Sequence, residues 1–350
     1  MSLPIGPALR QVFGETLAGL ADSDPRLLLL DGDVGSSTGG AIFEAAHPDR
    51  YLQTGIAEQN MLGMAAGLAT IGFRPYVSTF ACFAVARALD SIRVLIAQPE
   101  LDVKIIGGYA GLLTGMTGKT HQMLDDLAIM RTLPHMIVLA PADQNEARQA
   151  IRVIAATSGP AYMQITREPS GALFGSDYQF RIGAAVHVQE GSDVTLISTG
   201  VQTTRVYDAA QLLAGHGISA LVLHVPTVKP IDEDAIVAAA QATGFVITIE
   251  EQSVLGGLGG AVTEVLSERH PVPVARLGML DCYGESGPNE QLLEKYRLSA
   301  ATVAQDVEAL LRRSADRQRN AGTAAGGKGS PFGAARRPLR ASNQTKVVRR

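Results

Sequence analysis

Between Arg26 and Leu277 the chain alternates short apolar runs with helix-period segments, and it does so in two successive series. The first series sets strand candidates at Arg26–Leu30, Arg74–Val77, Val103–Gly107, Met136–Ala140 and Ala161–Ile165. Between and around them lie helix candidates at Leu9–Leu20, Glu58–Ile71, Phe83–Ile96, Leu124–Arg131 and Gln144–Ala155. The second series has strand-like runs at Val194–Thr199, Ile218–Val225, Phe245–Glu250 and Pro271–Leu277, separated by helical patterns at Thr203–Leu213, Glu233–Ala242 and Gly259–Glu268. Parallel neighbours need a crossover long enough to hold a helix, so the alternation predicts an α/β fold of two domains, each a mostly parallel sheet flanked by helices.

A length of 350 residues suits two domains. The reading places them at residues 1–170 and 193–312, with a turn-rich connector at 171–192 holding one short strand-like stretch, and two independently wound sheets on either side. Residues 313–350 form a tail rich in Gly, Ala, Arg and Ser and poor in branched aliphatics, which predicts a disordered basic segment. From Ser314 onward it carries nine Lys/Arg against one acidic residue, so the folded body is acidic, with 21 basic and 33 acidic residues. Without interleaved aromatics the tail reads as a solvated extension rather than a nucleic-acid arm.

Apolar residues make up 46% of the chain and charged ones 18%, which fits a buried core and argues against a disordered scaffold. Cys82 and Cys282 stand far apart with no CxxC or Cys/His cluster, so neither a disulfide framework nor a structural zinc is expected. The N-terminus lacks the basic and apolar regions of a signal peptide, and no run of ~18 apolar residues follows. A cytoplasmic protein with no membrane partner is the expectation.

Several segments carry candidate chemistry. In Gly55–Ala69, GIAEQNMLGMAAGLA, Glu58 opens a helix of Ala, Gly, Met and Leu. Gly63 and Gly67 each cost such a helix about 1 kcal/mol relative to Ala, which predicts burial on most sides and a second backbone close by. Glu58 is then either an exposed acid favoured by the helix dipole or a desolvated acid suited to proton transfer. Phe80 and Phe83, in VSTFACF, are three apart at a strand-to-helix junction and could wall one planar ligand or simply pack the core. The Gly/Thr-rich loop from Gly107 to Gln122 follows a strand, where α/β proteins place ligands, and offers His121 as acid, base or donor. Gly35–Gly39 fits the G-x-S-x-G of a hydrolase elbow around Ser37, but no HGGG-like oxyanion segment accompanies it. Gly256–Gly260, GGLGG, is neither a P-loop nor G-x-G-x-x-G.

Together, LLLLDGDVGSSTG, YLQTGIAEQNMLGMAAGLA, RPYVSTFACFAVARALDSIR, GKTHQMLDDLAIMR, VLAPADQNEA, VPTVKPID and EEQSVLGGLGGAV resemble the C-terminal half of a transketolase, especially the shorter subunit of transketolases encoded as two chains. The resemblance runs from about Gly6 to Leu311. It implies a pyrimidine-binding domain at 1–170 and a transketolase C-terminal domain at 193–312. It also implies a thiamine-diphosphate-dependent transfer of a two-carbon ketol unit from a ketose to an aldose. Glu58 resembles the acid that bonds the cofactor's aminopyrimidine, Phe80 and Phe83 the aromatics beside that ring, and His121 the histidine near the reacting carbonyl. Arg10, Ser37 and Arg167 resemble positions that hold a sugar phosphate, an anion that Arg can grip with two parallel donors.

The chain departs from that pattern at the substrate end. Many transketolases have a histidine where Tyr109 stands and a Glu-Asp pair where Met116-Thr117 stands, and the lost Asp is the group that recognises a sugar hydroxyl. Tyr109 and Thr117 therefore become candidate substrate-binding residues for a modified sugar or another two-carbon donor. The GDG motif and later Asn that hold diphosphate and metal in the family have no counterpart, since Gly32-Asp33-Val34 lacks the second Gly. The resemblance thus implies half a cofactor pocket with no metal ligand of its own. Mg2+ (or Ca2+) would be held mainly by an N-terminal partner subunit, in an α2β2 assembly. A deoxyxylulose-phosphate-synthase-like carboligase, a 2-oxo acid dehydrogenase beta chain, a serine hydrolase and a non-catalytic transketolase-like subunit are the other readings.

Overall fold

The computed structural model describes residues 3–325. Among them, twelve strands run in chain order: β1 Leu27–Asp31, β2 Tyr51–Gln53, β3 Arg74–Phe80, β4 Lys104–Gly108, β5 Ile137–Leu139, β6 Ala161–Ile165, β7 Val186–Gln189, β8 Val194–Ser198, β9 Ala220–His224, β10 Thr227–Lys229, β11 Val246–Ser253 and β12 Val274–Met279. The α-helices are α1 Leu9–Ala21, α2 Gly35–Thr38, α3 Gly40–Ala46, α4 Glu58–Thr70, α5 Ala88–Ser91, α6 Asp126–Thr132, α7 Gln144–Ala156, α8 Gln202–Gly215, α9 Glu233–Thr243, α10 Leu258–Arg269, α11 Asn289–Lys295 and α12 Ala300–Ala325. Two π-helical segments, Cys82–Arg87 and Ile92–Ala97, flank α5.

A seven-stranded sheet in the order β10-β5-β6-β4-β3-β1-β2 and a five-stranded sheet in the order β12-β11-β8-β9-β7 form the α/β architecture. Pairing is parallel throughout except for β10 against β5 and β7 against β9. The strands read as unbroken apolar runs because both faces are covered, and the period of two sorts their side chains between two cores. Leu28, Leu30, Val77, Ile105 and Val138 enter one cluster with Met61, Ala65 and Leu127. Leu27, Leu29, Tyr76, Ile106 and Leu139 enter the other with Phe13, Leu17 and Ile151.

Two features differ from the sequence reading. The sheets are not independent, because β10 comes from the second series yet completes the edge of the first sheet, with Thr227 opposite Leu139. A three-residue strand between a strand and a helix is too short for periodicity to assign to a sheet. Within the connector, β7 belongs to the second sheet, and Asp143 ties the connector's start to the first domain. Its carboxylate caps α7 by accepting from Asn145 and Glu146, and it also accepts from the backbone of Leu173 and Phe174 at 2.7 Å.

The chain divides into two compact units, Met1–Glu308, which holds both sheets, and Ala309–Arg350. In the second unit the described residues continue α12 to Ala325, past the start of the expected disordered tail, through a stretch of good helix formers such as Ala, Arg and Gln. The rest of that expectation, residues 326–350, lies outside the described residues. No helix among the described residues is long and apolar enough to cross a membrane.

Candidate functional site

The carboxyl ends of β3 and β4 bring four of the expected residues together. β3 ends at Phe80, and the π-helical turn that follows at once carries Phe83. Their rings stack with centroids 5.6 Å apart and planes 22° from parallel. One residue past β4, Tyr109 stacks on Phe80 at 4.1 Å, its backbone in the left-handed region at φ +57°. A non-glycine residue held there carries local strain, a feature found at binding sites. His121 presents its ring edge-on to Phe80 at 5.8 Å and to Phe83 at 5.3 Å, with Nδ1 2.9 Å from the Thr120 hydroxyl. The loop bearing it is fastened by Gln122, whose side-chain amide donates to the carbonyls of Leu112 at 2.9 Å and Glu285 at 3.1 Å.

Glu58 is the first residue of α4 and is only 3% exposed, so it is the desolvated acid and not the surface one. Its Oε1 accepts from Nη1 of Arg87 at 2.9 Å. The same guanidinium lies over the Phe83 ring at 4.0 Å. Arg87 was not foreseen. The wide π-helical turn ends at Arg87 and brings it back over Phe83, and π-helical insertions tend to mark functional sites. The only trace in the sequence is a single cation in the apolar run FACFAVARAL.

Arg10, Ser37 and Arg167 form an adjoining group. The Arg10 guanidinium donates to the carbonyls of Arg167 at 3.2 Å, Ser36 at 3.3 Å and Ser37 at 3.4 Å. Gly39 makes this junction possible, because at φ +90° a Cβ there would lie 1.9 Å from the Arg10 carbonyl oxygen. Arg167 reaches back over the Tyr109 ring at 5.2 Å, linking the two groups. Thr117 makes none of these contacts among the described residues. Its exposed hydroxyl donates to the Thr114 carbonyl at 3.0 Å within a single 3-10 turn, Gly115–Thr117.

Two further acids are buried outside this group. Asp126 receives the Tyr162 hydroxyl at 2.5 Å and the Gln164 amide, and burial pushes its carboxyl up to about 6. Glu250 accepts from the backbone of Leu258 and Gly259 at the start of α10, and burial raises it to about 7. Burial also pushes the Cys82 thiol up to about 12, which keeps it a neutral packing group beside Phe83.

The expectation that Gly63 and Gly67 lie against another backbone is not met among the described residues. A Cβ on Gly67 would meet no atom within 4 Å, and on Gly63 only Leu95 Cδ1 at 3.9 Å. The exposed residues of α4 are Gln59, Asn60, Met64, Gly67 and Thr70, a face of small and polar side chains, and Ile56 just before the helix is 71% exposed.

A buried carboxylate, stacked aromatics and a histidine thus gather at the carboxyl ends of parallel strands, where α/β proteins place their ligands. The pyrimidine-binding domain of transketolase matches residues 6–170 and its C-terminal domain residues 183–303. A putative transketolase C-terminal section from Methanocaldococcus jannaschii is 39% identical over 302 residues, covering 85% of this chain and 95% of that protein. The 6-deoxy-6-sulfo-D-fructose transketolase subunit SqwH of a Clostridium species is 39% identical over 295 residues, covering 84% and 92%. Among solved structures, a split-gene transketolase described as an inactive beta4 tetramer superposes with a TM-score of 0.82 at 42% identity, covering 88% of this chain and 99% of that one. The chain belongs to the transketolase family.

Proposed function

We propose that this chain is the C-terminal subunit of a thiamine-diphosphate-dependent, transketolase-like enzyme that moves a two-carbon ketol unit from a ketose phosphate to an aldose phosphate. The observation that carries the reading is the placement of Glu58. A carboxylate 3% exposed, at the mouth of an apolar helix and joined through Arg87 to Phe83 of the Phe80–Phe83 stack, matches what an aminopyrimidine needs, namely a proton partner at one edge and a flat apolar wall.

The residues present fit the pyrimidine half of the cofactor. Glu58 would share a proton with a ring nitrogen, and Phe80 and Phe83 would hold the ring's orientation. When bound, thiamine diphosphate supplies a stabilised carbon nucleophile able to open a ketose beside its carbonyl. His121, at the rim of the aromatic stack, would donate to the substrate oxygen where negative charge develops or relay its proton. Arg10, Arg167 and the turn at Ser37 would hold the sugar phosphate, and Tyr109, wedged between Phe80 and Arg167, would shape the floor of the substrate channel. Thr117 would line the outer end of that channel. With Tyr109 and Thr117 in place of His and Asp, the donor is a modified ketose; SqwH acts on a sulfonated one by its name.

The exposed small-residue stretch of α4 around Met64 and Gly67 fits a helix that packs against a second chain. An N-terminal chain would supply the diphosphate and Mg2+ (or Ca2+) ligands, most simply as an α2β2 assembly in the cytoplasm. The split-gene relative's inactive beta4 form supports a chain that does nothing alone. Mixing the chain with a diphosphate-binding partner and screening ketose phosphates against pyruvate as donor tests the reading. Ketol transfer by the mixture supports it; condensation of pyruvate with an aldehyde would make the protein a carboligase instead.

A further inference from the structure

The Arg87 guanidinium makes two contacts at once. It donates to Glu58 at 2.9 Å and covers the Phe83 ring at 4.0 Å. A guanidinium is planar, delocalised and edged with N–H donors, so it offers Glu58 a donor and Phe83 a stacking face. Those are the two things a protonated aminopyrimidine would offer the same pair. Arg87 and the ring ask for one position.

We propose that Arg87 is a competing residue that occupies the ring-binding position between Glu58 and Phe83, and that a pyrimidine enters only as Arg87 swings out. The inference rests on the reading of Glu58 as the acid that binds the cofactor ring. Asymmetry of burial makes the exchange feasible, since Arg87 is 48% exposed while Glu58 is 3% exposed. The long side chain can reach water, whereas the acid cannot follow it. The backbone need not move either, because the Arg87 carbonyl is held by the Gln59 amide at 3.0 Å, one residue along α4 from Glu58. Among the described residues Arg87 is the one side chain that hydrogen-bonds Glu58, so its departure alone would leave a buried acid without a donor. Release is therefore favourable only when another donor arrives, which couples opening to ligand entry. The geometry selects flat heterocycles with a donor edge over bulky or anionic ligands.

The test uses the full chain without a partner and the free aminopyrimidine alcohol of thiamine, which carries the ring but no diphosphate. Its binding is followed by saturation-transfer NMR, with thermal melting to confirm that each variant folds. Arg87→Ala should tighten binding roughly tenfold, since one exposed cation–π contact and one half-exposed ion pair oppose the ligand. Arg87→Lys keeps the charge but loses the flat face, and should fall between the two. Glu58→Ala should weaken binding. If Arg87→Ala and Arg87→Lys bind the ring no better than the wild type while Glu58→Ala still weakens it, the competing role is overturned and the Glu58 reading stands. If Glu58→Ala leaves binding unchanged, the reading of Glu58 fails and the inference falls with it.

Discussion

Glu58 Oε1 and Arg87 Nη1 are 2.9 Å apart across a steep gradient of burial, with the acid 3% and the base 48% exposed. A buried acid whose one hydrogen-bond partner among the described residues is half-exposed is poised to change partners, as a ring-binding acid must. Substituting Glu58→Gln removes its proton-sharing ability with little change in volume. Activity of the assembled enzyme should fall by about 10²–10⁴-fold while the melting temperature shifts little. Steady-state kinetics on the assembled complex, beside a thermal melt of the variant chain, measures both.

The two phenylalanines should separate function from stability. Phe80 is 7% exposed at the end of β3, so Phe80→Ala should cost about 3–5 kcal/mol of folding free energy as well as cofactor affinity. Phe83 is half-buried on the π-helical turn, and Phe83→Leu should weaken cofactor binding with a loss of only about 1 kcal/mol. Urea denaturation paired with cofactor titration distinguishes the two outcomes.

Stability should fall as pH rises from about 4.5 to 7. Glu250 is raised from 4.5 to about 7, and Asp126 from 3.8 to about 6, so the folded chain holds protons that the unfolded chain releases. That contribution is fully present below the unfolded values and lost as pH climbs through the folded ones, on the order of 3 kcal/mol for Glu250. Denaturation midpoints between pH 5 and 8 should show the decline, and Glu250→Gln should flatten its upper part. An unchanged slope in that variant would remove Glu250 as the cause.

Asp143 caps α7 with one oxygen and receives two connector amides with the other. Asp143→Ala should therefore destabilise the chain by more than a lone cap, about 2–3 kcal/mol, and speed exchange of the Leu173 and Phe174 amides. Hydrogen exchange that stays slow at those amides would show that the connector is held by something else.

On the outward face of α4, Gly67→Leu meets open space within the chain and removes a helix-weakening glycine. It should leave the isolated chain as stable or about 1 kcal/mol more so, yet block assembly with the partner. Sedimentation of the mixture tells whether it does.

Much of this was legible in the sequence because it depends on local pattern. Apolar runs alternating with helical periods pointed to the parallel sheets, and Phe80, Phe83 and His121 follow strands that the reading assigned, while Glu58 opens an assigned helix behind β2, a strand too short to be read. What escaped depends on geometry that no short-range period encodes. Arg87 reaches Glu58 through a π-helical turn, which shifts the register by one residue from the α-helix expected over Phe83–Ile96. β10 crosses to the first sheet with three residues and no alternation to betray it. The cost of Gly63 and Gly67 to a helix predicts burial against another backbone, but no such backbone lies against them among the described residues.

The central claim is that this chain carries half of a thiamine diphosphate site. Calorimetric titration of thiamine diphosphate with Mg2+ is the decisive test, on the chain alone and on its mixture with a diphosphate-binding N-terminal transketolase chain. Tight binding by the complex, lost in its Glu58→Ala form, with far weaker binding of the cofactor by the chain alone, is the expected result. Equal binding with and without Glu58, or a complex that forms and takes up no cofactor, would contradict it.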